Sequence, residues 1–105
     1  MRHSTLGNQA GRITHLIGDE NYTRIYFTDA PDLLISRTLS YCTAQLPHFL
    51  RLHRMCAANP DYINEIRLIP QKRGEASIAG SWLPVSNRRL PNAIRRLKAI
   101  KSRSY

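Results

Sequence analysis

The chain has 105 residues, of which 16 are lysine or arginine and 7 are aspartate or glutamate, so its formal net charge is +9. This length predicts one domain with one modest core, and a hydrophobic content of 42% excludes a disordered chain. No apolar run is long enough to cross a bilayer, and the amino-terminus lacks the apolar centre of a secretion signal, so we expect a cytoplasmic protein without a membrane partner.

Residues 1–10 are polar and show no periodicity, so we expect a flexible N-terminal arm before a single domain at residues 11–105. Beyond the arm, short segments alternate apolar and polar residues or are rich in β-formers, which is typical of strands. These segments are residues 12–17, 22–27, 33–35, 49–53, 63–69 and 75–78. A turn joins the first two, which predicts a hairpin with Asn21 and Tyr22 at its tip. Residues 71–74 predict a second hairpin turn with its glycine at the end.

Two further segments have helical spacing. Leu39, Cys42 and Leu46 follow one helical stripe that Pro47 ends, which predicts a short helix near residues 38–46. A second apolar stripe near the carboxyl-terminus has basic residues on its other faces, which predicts a C-terminal basic helix. The apolar residues of this stripe are Leu90, Ala93, Ile94, Leu97 and Ile100. The pattern as a whole predicts a mainly β fold, a small sandwich or barrel with two helices.

The residues that could support catalysis or bind a metal form no familiar motif. Cys42 and Cys56 have neither metal-binding nor Cys-x-x-Cys spacing, so we expect free, buried thiols. The alternative, a redox switch, would need the two sulfurs within bridging distance. The four histidines lack metal-binding spacing, and no phosphate-binding glycine loop or nucleophile motif is present. We therefore predict neither an enzyme nor a metal or cofactor site.

Positive charge is concentrated towards the carboxyl-terminus. The last acidic residue is Glu75. The basic residues of the C-terminal segment are Arg88, Arg89, Arg95, Arg96, Lys98, Lys101 and Arg103. Such an uncompensated field favours a polyanion, and nucleic acid is the usual one. The alternative is a solvated face that only aids solubility.

Two groups of residues are suited to binding an anion. Arg54 follows a predicted strand at a turn, where its guanidinium can reach a guanine edge or a phosphate; the alternative is a surface arginine in a solvated ion pair. Ser86 can cap the next turn and leave backbone N–H groups beside Arg88 and Arg89, which suits a phosphate. The alternative is a simple helix start. We expect His53 to be structural, with a ring nitrogen bonded to the backbone.

Several motifs, in this order, resemble the LytTR family of bacterial DNA-binding domains. They are Asn21-Tyr22, Thr38-Leu39, Leu46-Pro47, Phe49, Arg51, His53-Arg54, Asn59, Ile63, Ile66 and Pro84-Val85-Ser86. The resemblance covers roughly residues 12–100. It implies an elongated fold of antiparallel β-sheets with short helices, whose loops enter two successive major grooves of a DNA duplex.

The resemblance also implies roles for individual residues. The residues that would contact bases are Tyr22, Arg54 and Arg88. The residues that would contact phosphates are Asn21, Arg51, Ser86, Asn87 and Arg89. The sequence departs from the family pattern at Ile17, where the family is often acidic, at Ala57-Ala58, which are smaller than usual, and at Asn87, where an arginine is common.

The function implied is that of a transcription regulator, a response-regulator output domain that binds repeated sites in promoter DNA as paired copies, such as a homodimer. Family members usually carry a receiver or membrane module, which is missing here, so we expect a fragment or a free-standing regulator with a separate signalling partner. One alternative is a protein-interaction module whose basic helix docks an acidic partner. Another is an RNA-binding β domain, although exposed aromatic residues interleaved with basic ones are lacking.

Overall fold

The computed structural model describes residues 5–71 and 73–102. Within these residues, eight strands and three helices follow one another along the chain. The strands are β1 (Ile13–Asp19), β2 (Tyr22–Phe27), β3 (Leu33–Ile35), β4 (Leu50–His53), β5 (Cys56–Ala58), β6 (Ile63–Ile69), β7 (Arg73–Ile78) and β8 (Ser81–Val85). The helices are α1 (Thr5–Asn8), α2 (Leu39–Ala44) and α3 (Leu90–Ser102). Single 3-10 turns occupy Ala10–Arg12 and Pro60–Tyr62.

The strands form two antiparallel sheets. One has five strands in the spatial order β3-β2-β1-β5-β4, and the other has three in the order β6-β7-β8. The mainly β fold, the short helix near residues 38–46 and the C-terminal basic helix are therefore confirmed. No helix in the described part of the chain has the length and apolar character needed to span a bilayer.

The first hairpin forms where its sequence alternation predicts it. Thr23 and Ile25 are buried, whereas Tyr22 and Arg24 point to the opposite, exposed face of β2. Asp19 pairs with Tyr22, so the hairpin turns through Glu20 and Asn21. The backbone of Glu20 adopts a left-handed conformation with φ of 55°, which a tight hairpin turn requires.

Buried side chains form two clusters, although the chain length predicts a single core. The first cluster lies between one face of the five-stranded sheet and the helices α1 and α2. The second lies between the opposite face, the three-stranded sheet and α3. Ala57 belongs to the first cluster and its neighbours Cys56 and Ala58 to the second, because successive side chains of a strand point to opposite faces. A small chain thus uses both sides of one sheet.

The two cysteines are free and buried, as predicted. Cys42 lies in the first cluster and Cys56 in the second, so the five-stranded sheet lies between them. Burial raises the pKa of Cys56 to about 11, and it also raises the pKa of Cys42. Thiols with raised pKa values are poor nucleophiles, so this arrangement gives no support to a redox switch.

The helix α2 begins with a side-chain cap and packs tightly. The Thr38 hydroxyl accepts a hydrogen bond of 3.1 Å from the N–H of Tyr41. Leu39 and Cys42 face the first cluster. Gly18 of β1 lies against Leu39, and a Cβ atom added at Gly18 would come within 2.9 Å of the Leu39 Cβ. Glycine at this position therefore permits the close approach of helix and sheet.

Gly74 has a different role from the predicted one. It does not end a turn but lies inside β7, paired with Leu68 and Val85. A Cβ atom at this position would come within 2.6 Å of a methyl group of Leu90, so the glycine makes room for the start of α3. Leu90, Ala93 and Leu97 of α3 are buried against this sheet, where a fully buried leucine contributes about 1.5–3 kcal/mol.

The predicted N-terminal arm is partly ordered. Residues 1–4 lie outside the described residues. Thr5–Asn8 form a helical turn, and Leu6 is only 9% exposed in the first cluster, which differs from the flexible segment predicted for residues 1–10. The physical reason is that Leu6 gains an apolar surface to pack against, while Asn59 binds the carbonyl of Ala10.

Asn59 is a fully buried junction between distant segments. Its Nδ2 donates hydrogen bonds to the carbonyls of Ala10 and Ile13, at 3.1 and 3.0 Å. Its Oδ1 accepts a bond of 3.0 Å from the N–H of Asp61. One side chain therefore joins the first turn, β1 and the turn before β6.

His15 is a buried polar residue of β1 that packs against Tyr26. It is 5% exposed, its ring stacks on Tyr26 at a centroid distance of 4.2 Å, and its Nδ1 lies 2.8 Å from the Thr14 hydroxyl. Burial lowers the pKa of His15 to about 4, because the charged form loses its hydration. His15 is therefore neutral in the folded protein near neutral pH.

Candidate nucleic-acid interface

Three connecting segments meet at one end of the molecule, which we call the loop end: residues 19–22, 54–55 and 86–89. Two backbone hydrogen bonds bring them together. The N–H of Gly18 donates to the carbonyl of Met55 at 2.7 Å, so the hairpin tip adjoins the β4–β5 turn. The N–H of Ser86 donates to the carbonyl of Leu52 at 2.8 Å, so the chain leaving β8 adjoins the end of β4.

The turn that carries Arg54 is held from within by its neighbours. The guanidinium of Arg51 donates from Nε to the carbonyl of His53 at 3.0 Å and from Nη2 to the carbonyl of Arg54 at 2.8 Å. The Nδ1 of His53 accepts from the N–H of Met55 at 3.2 Å, which confirms the structural role predicted for this histidine. The side chain of Arg54 is itself exposed. A fixed backbone therefore presents an accessible guanidinium.

Arg51 lies close to a second arginine. Burial lowers the pKa of Arg51, and the positive charge of Arg89 lowers it further. The ion pairs of the described residues involve Arg12, Arg24 and Arg67, so neither arginine is neutralised by a carboxylate. An anion bound here would relieve the repulsion between the two guanidinium groups.

The segment 86–89 is a tight turn that leads into α3. The carbonyl of Ser86, rather than its hydroxyl, closes this turn by accepting bonds of 3.0 Å from the N–H groups of Arg89 and Leu90. Asn87 and Arg88 are exposed. The hydrogen bonds of the described residues include none from the N–H groups of Asn87 and Arg88, so both amides can serve an external anion.

The hairpin tip has a different electrostatic character. Asn21 is exposed and Tyr22 is 50% exposed, so both can reach a ligand. Asp19 and Glu20 beside them are also exposed, and their carboxylates repel phosphate groups. The tip is therefore the part of the loop end least suited to phosphate contact.

The structure places two further features near the loop end that the sequence motifs did not indicate as part of the interface. Arg73 directly precedes the Gly74–Val85 pair, so the antiparallel register places it beside Ser86 as an additional exposed cation. A cleft between the hairpin tip and the Arg54 turn is also lined by Thr38 and Ser40 of the α2 start. Hairpin pairing could have located Arg73, but no local pattern places α2 here.

Basic residues continue from the loop end along α3. The exposed ones are Arg95, Arg96, Lys98 and Lys101. Arg95 donates from Nη2 to the Asn92 side chain at 2.7 Å and has no acidic partner within residues 5–71 and 73–102. The exposed face of α3 is therefore cationic. No group of three His, Cys, Asp or Glu residues suited to a metal ion occurs in the same ranges.

Comparison with known proteins agrees with this architecture. The family model of the LytTr DNA-binding domain matches residues 9–98. Among solved structures, the chain is similar to the LytTr DNA-binding domain of a protein from Bacillus cereus described as a methyl-accepting/DNA response regulator. The TM-score is 0.70 with 20% identity, over 83% of this chain and 81% of that chain. No curated protein matches the sequence.

The fold and the family match define the class of protein, a mainly β DNA-binding domain. The chain belongs to the LytTR family, as its sequence motifs predict. This is a family of DNA-binding domains rather than of enzymes.

Proposed function

We propose that this domain regulates transcription by inserting its loop end into the major groove of promoter DNA. The observation that carries the proposal is the pair of exposed guanidinium groups of Arg54 and Arg88. Neither has an ion-pair partner in the described part of the chain, and both lie at the end where Arg51 and Arg89 approach each other. Uncompensated arginines on rigid turns are suited to reading guanine.

The contacts divide into two kinds. Arg54, Arg88 and Tyr22 are the base readers, because their side chains are exposed at turn positions. The phosphate contacts are Arg51, Arg89, Ser86, Asn87 and Asn21. Of these, Asn21 makes the weakest contact because of the neighbouring carboxylates.

The molecule as a whole is long enough to span two successive major grooves. Its principal extents are 41 × 34 × 23 Å, and successive major grooves on one face of B-DNA are about 34 Å apart. A single small domain offers a limited interface, so paired copies on repeated sites give the affinity that regulation requires. A separate signalling partner would then control occupancy.

The test begins with selection of the preferred site from a random pool of duplexes. Arg54→Ala and Arg88→Ala should each weaken binding to that site by about 1–3 kcal/mol and leave binding to random DNA nearly unchanged. Arg12→Ala is the matched control, because it removes the same charge from the opposite end of β1. Equal losses on selected and random duplexes would refute base reading by these arginines.

Competition experiments separate this function from the two alternatives. Binding to duplex DNA should exceed binding to single strands and to RNA, and its salt dependence should give a slope of about 0.9 per phosphate contact. Tighter binding to RNA would favour the RNA-binding alternative. Salt-sensitive binding to acidic proteins without DNA binding would favour a docking role for α3.

A further inference from the structure

A groove of about 370 Å³ opens on the side of the first cluster and shares no residue with the loop end. It lies between strands β2 and β3 and helices α1 and α2. Its apolar lining includes Ile25, Phe27, Leu33 and Ile35 from the two strands and Leu6 from α1. This volume falls at the lower end of the range for small-molecule sites, about 300–1,000 Å³.

The apolar surface of this groove is incompletely covered. Leu33 is 50% exposed, and Tyr41 on the α2 side is 38% exposed. Leu33 of β3 pairs with Ile25 of β2. The exposed leucine is therefore part of one continuous apolar surface that lines the groove. A ligand with an apolar body would remove this surface from water.

The groove also contains a cation without a carboxylate partner. The backbone of Arg37 is fixed by the Thr23 hydroxyl, which donates to its carbonyl at 2.8 Å. Its guanidinium lies over the ring of Tyr41, 4.8 Å from the centroid. The ion pairs of the described residues involve Arg12, Arg24 and Arg67, so no carboxylate pairs with Arg37 within those ranges. Arg37 is therefore available to an anionic group.

A second polar group in the groove lacks a partner. Gln45 lines the groove, and its side-chain oxygen is buried without a hydrogen bond in the described part of the chain. A buried unpaired oxygen costs about 1–3 kcal/mol, so such atoms call for a physical explanation. Rotation of the terminal amide, which is a soft torsion, would turn the oxygen towards a donor in the groove.

Three polar residues that line the groove, Arg37, Tyr41 and Gln45, are spaced four positions apart in the sequence. Tyr41 and Gln45 are four residues apart at α2 and its C-cap, so they lie about 6 Å apart on one side of the helix. The Arg37 guanidinium lies over the Tyr41 ring, 4.8 Å from its centroid. All three residues line the groove, so one small ligand can meet them together.

We propose that this groove binds a small carboxylic acid that has an apolar ring or chain and one N–H or O–H donor. The carboxylate binds Arg37, the donor meets the amide of Gln45, and the apolar body covers Leu33 and Phe27. A concave surface that combines apolar side chains with placed polar groups is typical of small-molecule sites rather than of flat protein contacts.

Indole-3-acetate is a suitable probe because it combines a carboxylate, an aromatic body and one N–H donor. Titration into the ¹⁵N-labelled protein, up to about 10 mM probe for millimolar affinity, should produce saturable amide shifts at residues 25–27, 33–37 and 41–45. Tryptamine, which replaces the carboxylate by an ammonium group, and 1-methylindole-3-acetate, which lacks the donor, should each bind at least about fivefold more weakly.

Protein variants test the same two contacts from the other side. Arg37→Gln and Gln45→Leu should each weaken binding of indole-3-acetate about fivefold or more, whereas Arg67→Gln, a matched change on the three-stranded sheet, should leave it unchanged. Retained dispersion of the amide spectrum shows that each variant is folded. The proposal is overturned if no saturable shift occurs at these residues, if tryptamine binds as well as indole-3-acetate, or if Arg37→Gln binds like the wild type.

Discussion

Polar groups in the interior and polar groups at the loop end differ in one respect, which is whether the protein itself satisfies them. Asn59 is fully buried, and its side chain makes three hydrogen bonds to backbone groups. Arg54 and Arg88 are exposed and have no ion-pair partner among the described residues. Burying a polar group without a partner is costly, so most buried polar groups are paired, whereas exposed unpaired charges remain available to a ligand. The first region therefore holds the fold, and the second can bind.

Arg51 stands between these two extremes. Its guanidinium is satisfied in part by two carbonyls of its own turn, yet its charge is not neutralised. It should therefore contribute to the shape of the loop end and to its attraction for anions at once. Substitutions at Asn59, His15 and Arg51 test how far the contrast between interior and surface holds.

The largest effect is expected for Asn59→Ala. The change leaves two carbonyls and one N–H group without their partner in the interior, so the free energy of unfolding should fall by about 3 kcal/mol. Urea denaturation followed by circular dichroism measures this change. Asn64→Ala on an exposed position of β6 is the control and should alter stability by less than about 0.5 kcal/mol. A loss below about 1 kcal/mol for Asn59→Ala would show that water replaces these bonds easily.

The second-largest expected effect is a dependence of the free energy of unfolding on pH that arises from His15. Its pKa is about 4 in the folded protein and 6.5 when unperturbed, so between these values the unfolded chain binds the proton and the folded one does not. The contribution of His15 to the free energy of unfolding is therefore fully present above about pH 6.5. It decreases as the pH falls, by about 2 kcal/mol from pH 7 to pH 5. Urea denaturation at several pH values measures the slope.

The matched variants for this prediction are His15→Phe and His48→Phe. The first should flatten the pH dependence because it removes the buried imidazole. The second replaces an exposed histidine and should retain the dependence. An unchanged slope in His15→Phe would assign the effect to other groups.

A smaller effect is expected for Arg51→Lys, which keeps the charge but loses the two-pronged contact with the carbonyls of His53 and Arg54. Affinity for the selected duplex should fall by about 1 kcal/mol, because the turn that presents Arg54 is less fixed. Gel-shift titration measures this loss. Arg89→Lys is the control with the same chemical change, and it should lose less. Wild-type affinity in Arg51→Lys would show that its charge alone matters.

Local patterns in the sequence predict much of this fold. The β1–β2 hairpin follows from alternation over residues 12–17 and 22–27, and α3 follows from the spacing of its apolar residues. The exposure of Arg54 follows from its position after a strand. These features depend on neighbours within a few residues, so the chain specifies them locally.

The features that the sequence did not predict depend on distant partners. Gly74 is needed because Leu90, sixteen positions later, packs over it, and only the folded structure reveals this contact. Asn59 reaches carbonyls 46 and 49 positions away. The second cluster exists because β5 is buried on both faces, which a three-residue strand of small residues does not indicate. Long-range packing decides each of these cases.

The anchoring of the β4–β5 turn by Arg51 has a consequence for how a DNA-binding domain of this family diversifies. The main chain of the turn is held by a residue that precedes it, so the side chain at position 54 takes no part in fixing its own loop. If Arg54 reads a base, as proposed above, substitution at that single position can change the preferred DNA sequence at little cost in folding. The residue that holds the turn and the residue that the turn presents lie three positions apart, so they can vary separately.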